Sequence, residues 1–282
     1  MESKKLKKIN WLKLRKIQYI QQRIKCRQVT GGDDIENWRK NPYTFLKAKF
    51  NIETSALMVY FFQLTRITPN NLTFMYILLG FLGGLFLASN NNILILTSLF
   101  FFFTRGAIDW ADGFLAQIKD QESNLGNLLD NWGAKVGSYS FIVGLGYYLY
   151  NKQNEEIFLA LSLFIIFLKS IDLREYAYQL AMFDFMKDKN KKFFFNKLNL
   201  KKNVIFSKKK FNFLRIFKSF IQNFIDDRAR SVDLILLLIL IDNFFYNIFL
   251  LKYIFYYIAL KTLIIFCGGT YVTTYKNYLF KK

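Results

Sequence analysis

The chain has 282 residues, of which 53% are hydrophobic and 19% aromatic, and it carries a formal net charge of +20. It contains no histidine, which excludes Ser-His-Asp and Cys-His catalysis and metal sites built on imidazole. The hydrophobic residues occur in runs of about 20, long enough for transmembrane helices, and they are segregated from the lysines. A soluble nucleic-acid-binding protein would interleave the two, so the basic excess indicates loops beside an anionic membrane surface and no nucleic-acid partner.

The N-terminal region is basic and amphipathic, with leucines and isoleucines recurring among lysines and arginines over the first 28 residues. This pattern favours an interfacial helix on the cytoplasmic leaflet, with a flexible basic tail as the alternative. We therefore assign residues 1–41 to a basic cytoplasmic segment and residues 42–282 to a membrane domain. Trp38 to Phe50, across the boundary between the two, is expected to form a second surface segment, and the apolar stretch Ser55 to Leu64 is too short to span.

Six apolar segments predict an all-α polytopic membrane protein with about six transmembrane helices and both termini cytoplasmic. The segments are Leu72–Ala88, Asn92–Phe114, Leu125–Tyr150, Ile157–Met186, Val232–Leu250 and Tyr253–Tyr271. The loops between them alternate between nearly neutral and basic, which sets this orientation. Gly80, Gly83 and Gly84 in the first segment predict a small face for close helix packing.

Three carboxylates are expected to meet between the second and third segments. Asp109 and Asp112 are three residues apart and share a helix face, and Asp130 lies early on the next segment. A short polar turn, Lys119 to Asn124, makes these two helices antiparallel neighbours. Acidic side chains at membrane depth are costly and usually face the bundle interior, a partner or a water-filled site. Clustered carboxylates suit Mg²⁺ or Mn²⁺, and the alternative is a set of helix caps and neutralised pairs.

This stretch resembles the signature of the CDP-alcohol phosphatidyltransferase family. That signature runs Asp, two residues, Asp-Gly, two residues, Ala-Arg, eight or nine residues, Gly, three residues, Asp, three residues, Asp. The matching positions here are Asp109, Asp112, Gly113, Ala116, Gly126 and Asp130. The sequence departs from the signature twice, because Gln117 stands in place of the Arg and Ala134 in place of the last Asp.

The resemblance implies transfer of a substituted phosphate from a CDP-linked donor to an acceptor alcohol, with release of CMP, in the synthesis of phospholipids or related phosphodiesters. It implies a metal, Mg²⁺ or Mn²⁺, held by Asp109, Asp112 and Asp130. It also implies that the nucleotide binds against six residues of this region, Asn70, Thr73, Asp112, Gly113, Ala116 and Gly126. Asn70 and Thr73 belong to a Pro-Asn-x-Leu-Thr element that resembles the one before the family's first span, and helix capping is the alternative role for them.

The catalytic base is unassigned, because the family is expected to carry it at position 134. The remaining candidate carboxylates are Asp120, Glu122 and Asp172. Lys135, Arg228 and Arg230 are the expected contacts for acceptor or phosphate, and for the two arginines a solvated face or a positive-inside anchor is an equal alternative. Arg105, one turn before Asp109, is expected to pair with that carboxylate rather than to meet a phosphate.

Three hypotheses about function follow. The first is an active CDP-alcohol phosphotransferase in the inner or cytoplasmic membrane, with its site facing the cytoplasm and a homodimer as the family expectation. The second is a catalytically impaired relative that binds CDP-lipid or partners an active paralogue. The third is an unrelated transporter whose aspartates relay cations, which would show cation-dependent flux without nucleotide binding.

Overall fold

The structure is a computed structural model, and it describes residues 9–29, 42–177, 179–180, 232–245 and 250–275. In these residues the regular secondary structure is helical, which confirms the all-α prediction. The helices are α1 (Trp11–Val29), α2 (Pro42–Phe62), α3 (Pro69–Leu87), α4 (Asn92–Ile118), α5 (Asn124–Gln153), α6 (Ile157–Ser170), α7 (Val232–Phe245) and α8 (Leu250–Tyr275).

Three of the described helices, α3, α4 and α8, are long and apolar enough to cross a membrane. Helix α5 has 30 residues, but its first half carries asparagines, Asp130 and Lys135, which lower its mean hydropathy. Helices α6 and α7 have 14 residues each in the described part of the chain. A membrane protein is therefore supported, and the count of six spans and the side of the termini stay predictions.

Two predicted segments have different bounds in the structure. Residues 42–62, which cover the described part of the surface stretch and most of the short apolar stretch before α3, form one continuous helix, α2. The helix expected from Ile157 to Met186 is wrong near its middle, since α6 ends at Ser170 and, within the described residues, the chain is helical again at 173–177 and 179–180. Asp172 explains the break, because its carboxylate accepts a hydrogen bond from the backbone N–H of Arg174 at 3.0 Å and caps the new helical turn.

Helix α3 lies against both α4 and α5, and its glycines make the contact possible. A β-carbon on Gly80 would lie 3.0 Å from the Cα of Gly137 on α5, and one on Gly144 would lie 2.6 Å from the carbonyl oxygen of Gly84. On the α4 side, the Ser98 hydroxyl donates to the Gly83 carbonyl at 2.6 Å. The predicted small packing face is confirmed, and it holds the three motif-bearing helices at a fixed, close separation.

Helix α1 is docked on the protein and shares its core. Leu14 is fully buried in the same cluster as Leu72 and Tyr76 of α3 and Ile108 of α4. Polar contacts fix the helix along α2: Arg15 and Tyr19 both bond the carboxylate of Glu53, at 2.6 and 2.8 Å. The basic N-terminal segment therefore contains a helix packed onto the membrane domain at the end where α4 meets α5.

Candidate functional site

The turn between α4 and α5 begins with a lysine that ties it to the entry of α3. The Lys119 ammonium donates to the carbonyl oxygens of Thr65 and Ile67, at 2.9 and 2.7 Å, and partial burial lowers the pKa of Lys119. Asp120 follows in the left-handed region with φ 53°, a conformation that aspartate tolerates. These contacts hold the start of α3 beside the end of α4.

Two helices begin at this place. Thr68 caps α3 by accepting a hydrogen bond from the Asn71 N–H at 3.4 Å, with Pro69 in the first turn as predicted. Ser123 caps α5 by accepting from the Gly126 N–H at 3.0 Å. A β-carbon on Gly126 would lie 3.6 Å from the side-chain oxygen of Asn70, so the two N-termini are adjacent. Adjacent helix N-termini favour anions such as phosphate groups between them.

A cleft of about 490 Å³ opens between these elements. It is lined by all eight residues that were expected at the metal and nucleotide sites: Asn70, Thr73, Asp109, Asp112, Gly113, Ala116, Gly126 and Asp130. The i, i+3 spacing on α4 and the short turn to α5 bring them together, for the reason given by the sequence pattern.

The three aspartates face one another from α4 and α5. Asp112 is buried, at 7% exposure, and accepts a hydrogen bond from the hydroxyl of Thr73 at 2.6 Å. Asp109 is half-buried, and its carboxyl group is close enough to that of Asp130 for their charges to interact. Carboxylates held this close repel each other unless a cation or a proton lies between them.

The donor set fits a hard divalent cation. Mg²⁺ and Mn²⁺ prefer oxygen ligands, and the cluster offers three carboxylates with Thr73 as a hydrogen-bonding support. Among the described residues no three acidic or thiol side chains are already close enough to hold an ion. Asp130 is exposed, so its carboxylate has room to turn toward the other two. In front of Gly113 no atom of the other described elements lies within 4 Å of an added β-carbon, which leaves space for a ligand against the α4 backbone.

Arg105 does not pair with Asp109, so that prediction is wrong. Its guanidinium donates to the Gly133 carbonyl on α5 at 2.8 Å and lies over the ring of Tyr76, 4.4 Å from the centroid. Gly137 provides the space, because a β-carbon there would overlap the guanidinium. The i, i+4 spacing placed Arg105 on the right face of α4, and only the packing of α5 decided which acceptor it reaches.

Ala134, Lys135 and Asp172 lie outside the cleft lining. Ala134 is exposed one turn beyond Asp130, and Lys135 forms an ion pair with Glu175. Asp172 is paired with Arg174. Arg228 and Arg230 fall outside the described residues. Of the carboxylates weighed as a base, Glu122 lines the cleft, whereas Asp120 and Asp172 do not.

Several residues that were not predicted from the sequence line the same cleft. They are Gln18, Gln21 and Gln22 from α1, Trp110, Phe114 and Gln117 from α4, and Gln121, Ser123 and Asn127 from the turn and α5. The side-chain oxygen of Gln117 is buried without a hydrogen-bond partner. The signal for α1 was the run of uncharged polar residues at i, i+3 and i+4 in an otherwise basic helix.

A family model for CDP-alcohol phosphatidyltransferases matches residues 66–205, which include the carboxylate cluster and both adjacent helix N-termini. Residues 66–205 belong to this family. No curated protein matches the chain. The acidic cluster and the glycines beside it lie within the matched region, whereas α1 and its three glutamines precede it.

Proposed function

We propose that this protein transfers a substituted phosphate group from a CDP-linked donor to the hydroxyl of an acceptor alcohol and releases CMP. Family membership supports phosphotransfer from a CDP-alcohol in general. The observation that carries the specific proposal is the cleft in which Asp109, Asp112 and Asp130 meet beside Gly113 and Gly126.

Three features of the cleft support binding of a CDP-linked donor. The open space before Gly113 admits a ligand against the α4 backbone, and the adjacent N-termini of α3 and α5 attract its phosphates. Asp109, Asp112 and Asp130 would hold Mg²⁺ or Mn²⁺. A bound divalent cation supplies neutralisation of the charge that builds up on the pyrophosphate oxygens as CMP leaves.

The reaction forms one bond and breaks one. The acceptor oxygen bonds to the phosphorus that carries the donor alcohol, the bond from that phosphorus to the CMP phosphate oxygen breaks, and the hydroxyl proton passes to a base. We assign the base to Glu122, because it is the carboxylate outside the aspartate cluster that lines the cleft among the described residues. Its exposure keeps it available to a substrate that enters from the polar end.

A second candidate function is supported by position 134. Ala134 presents a methyl group on the strip of α5 that carries Asn127 and Asp130 toward the cleft. Without a carboxylate at position 134, the same cleft would suit a protein that binds CDP-lipid with little turnover. It would also suit a protein that supports an active paralogue. This protein would bind CDP with a divalent cation and release no CMP.

One experiment separates these functions. Membranes containing the chain are incubated with labelled CDP-diacylglycerol or other CDP-alcohols, Mg²⁺ and a panel of acceptors, and CMP release is measured. The purified protein is titrated with CDP by calorimetry in parallel. Asp112→Asn is expected to abolish Mg²⁺-dependent CDP binding, since removing one charge weakens a hard-cation site. Asp120→Asn is the matched control, because this exposed residue lies outside the cleft lining and asparagine tolerates its positive φ.

CDP binding without CMP release would favour the second function, and loss of release in Glu122→Gln would support Glu122 as the base. Unchanged CDP affinity in Asp112→Asn would show that the aspartates are not the metal site. We further infer an inner- or cytoplasmic-membrane location with the cleft facing the cytoplasm, supported by the basic loops, and a homodimer as in the family.

A further inference from the structure

We propose that α1 forms a substrate-binding wall of the cleft and that Gln21 and Gln22 hydrogen-bond the hydroxyl groups of an uncharged part of the substrate. This inference rests on the proposed function, because it takes the cleft to be the CDP-alcohol site. It concerns residues that lie before the region matched by the family.

Helix α1 is anchored firmly enough to form such a wall. The side-chain amide of Gln18 donates to the Ser55 hydroxyl at 3.2 Å, and Gln18 is 1% exposed. Just before the helix, the side chain of Gln63, the residue that follows α2, bonds both the N–H and the carbonyl of Ile9, each at 2.9 Å. These contacts, together with buried Leu14, fix the rotation of α1 about its axis.

That rotation turns an uncharged strip toward the cleft. Helix α1 carries six lysines and arginines among its 19 residues and no acidic residue. Nevertheless, in the part of α1 whose side chains are described, which ends at residue 22, each residue that lines the cleft is a glutamine. A lysine in their place would reach the carboxylates of α4 and compete with a metal ion for them. Glutamine avoids that competition and still presents two donors and an acceptor.

Gln21 and Gln22 are half-buried, and in the described part of the chain neither makes a hydrogen bond. Across the cleft lie further carboxamides, those of Asn70, Gln117 and Asn127, and the Gln117 oxygen is buried without a partner. In the described residues the lining contains no lysine or arginine. Neutral groups that both donate and accept match hydroxyl groups, which do the same, better than they match a phosphate.

Two parts of the reactants have this chemistry, the ribose of the CDP donor and a polyol acceptor. Their contributions can be separated by equilibrium binding to the full chain in detergent with Mg²⁺. CDP is compared with 2′,3′-dideoxy-CDP, and myo-inositol is titrated into CDP-saturated protein. The variants are Gln21→Leu, Gln22→Leu and the double replacement, which preserve helix propensity and remove the hydrogen bonds. As a control, Lys16→Leu introduces a leucine on the exposed face of α1, away from the cleft.

Each lost neutral hydrogen bond is expected to weaken the affected ligand about 3- to 10-fold. If the ribose is the partner, the variants bind CDP more weakly and no longer distinguish it from the dideoxy compound. If the acceptor is the partner, they lose affinity for inositol and keep that for CDP. Variants that bind both ligands as the wild type does, or a Lys16→Leu protein with the same loss, would overturn the inference and leave the proposed function intact. A wild-type protein that binds no CDP would overturn the proposed function and this inference with it.

Discussion

The hydrogen bond between Thr73 and Asp112 allows the aspartate cluster to be tested without altering a carboxylate. Both side chains are buried, at 3% and 7% exposure, and the Oγ1–Oδ2 distance is 2.6 Å. Thr73→Val keeps the shape of the side chain and removes the hydroxyl, so the Asp112 carboxylate loses the donor that orients it. A hydrogen bond to a charged group contributes about 1.5–3 kcal/mol, which corresponds to roughly 10- to 100-fold in an equilibrium constant. Removal of a group that orients a metal ligand typically lowers metal affinity by about the same factor.

The measurement is calorimetric titration of CDP at a series of Mg²⁺ concentrations. We expect Thr73→Val to raise the half-saturating Mg²⁺ concentration about 10- to 100-fold, and Thr73→Ser, which retains the hydroxyl, to stay close to wild type. If Thr73 contacts only the nucleotide, Thr73→Val weakens CDP binding equally with and without Mg²⁺. If Thr73 serves only to support α3, through the hydrogen bond that its hydroxyl donates to the Pro69 carbonyl at 3.2 Å, the melting temperature falls and the Mg²⁺ dependence does not change. Either result would refute the role assigned here to the Thr73–Asp112 bond.

Three further outcomes are expected. If the protein lacks a well-placed base, as the second function requires, Ala134→Asp should raise CMP release at least about tenfold and the uncharged Ala134→Asn should not. An Ala134→Asp protein that is no faster, or slower, is the result expected with Glu122 as the base. Gly137→Ala should destabilise the protein by about 1–3 kcal/mol, because the added methyl group overlaps the Arg105 guanidinium. Gly113→Ala, which has open space in front, should keep the wild-type melting temperature and bind CDP more weakly. Equal melting temperatures of the two variants would contradict the packing argument. Lys47→Met should lower the free energy of unfolding by about 3–5 kcal/mol, because the ammonium is 2.8 Å from Asp233 and both side chains are largely buried. Lys49→Met, at an exposed position, should leave the free energy of unfolding unchanged. A comparable loss of stability in both variants would point to a general charge effect.

Local patterns predicted the helices and the composition of the cleft, because both depend on short-range geometry. The run of apolar residues and the Pro69 start determine α3, and the glycines on it determine how closely α4 and α5 approach. The three-residue spacing of Asp109 and Asp112 puts them on one face in any α-helix. Since the turn to α5 is short, Asp130 has to meet them.

The prediction of one helix from Ile157 to Met186 was wrong because of a local interaction that a hydropathy pattern does not show. Asp172 offers its side chain to a backbone N–H, and this cap begins a new helical turn where the apolar run appeared to continue. The position of Glu122 in the cleft also depends on the turn, in which Asp120 adopts a left-handed conformation.

Long-range packing decided the remaining features. A basic amphipathic pattern is compatible with a helix on lipid, a tail in water or a helix on protein, and the α1 sequence does not distinguish them. The contacts to Ser55, Glu53 and Gln63, all more than 30 residues away in sequence, place α1 on α2 and turn its glutamines into the cleft. Arg105 reaches the Gly133 carbonyl in preference to Asp109 because Gly137 on α5 and Gly80 on α3 leave room for it there. Helical spacing determines which side chains share a face, and only the folded chain determines which partner meets that face.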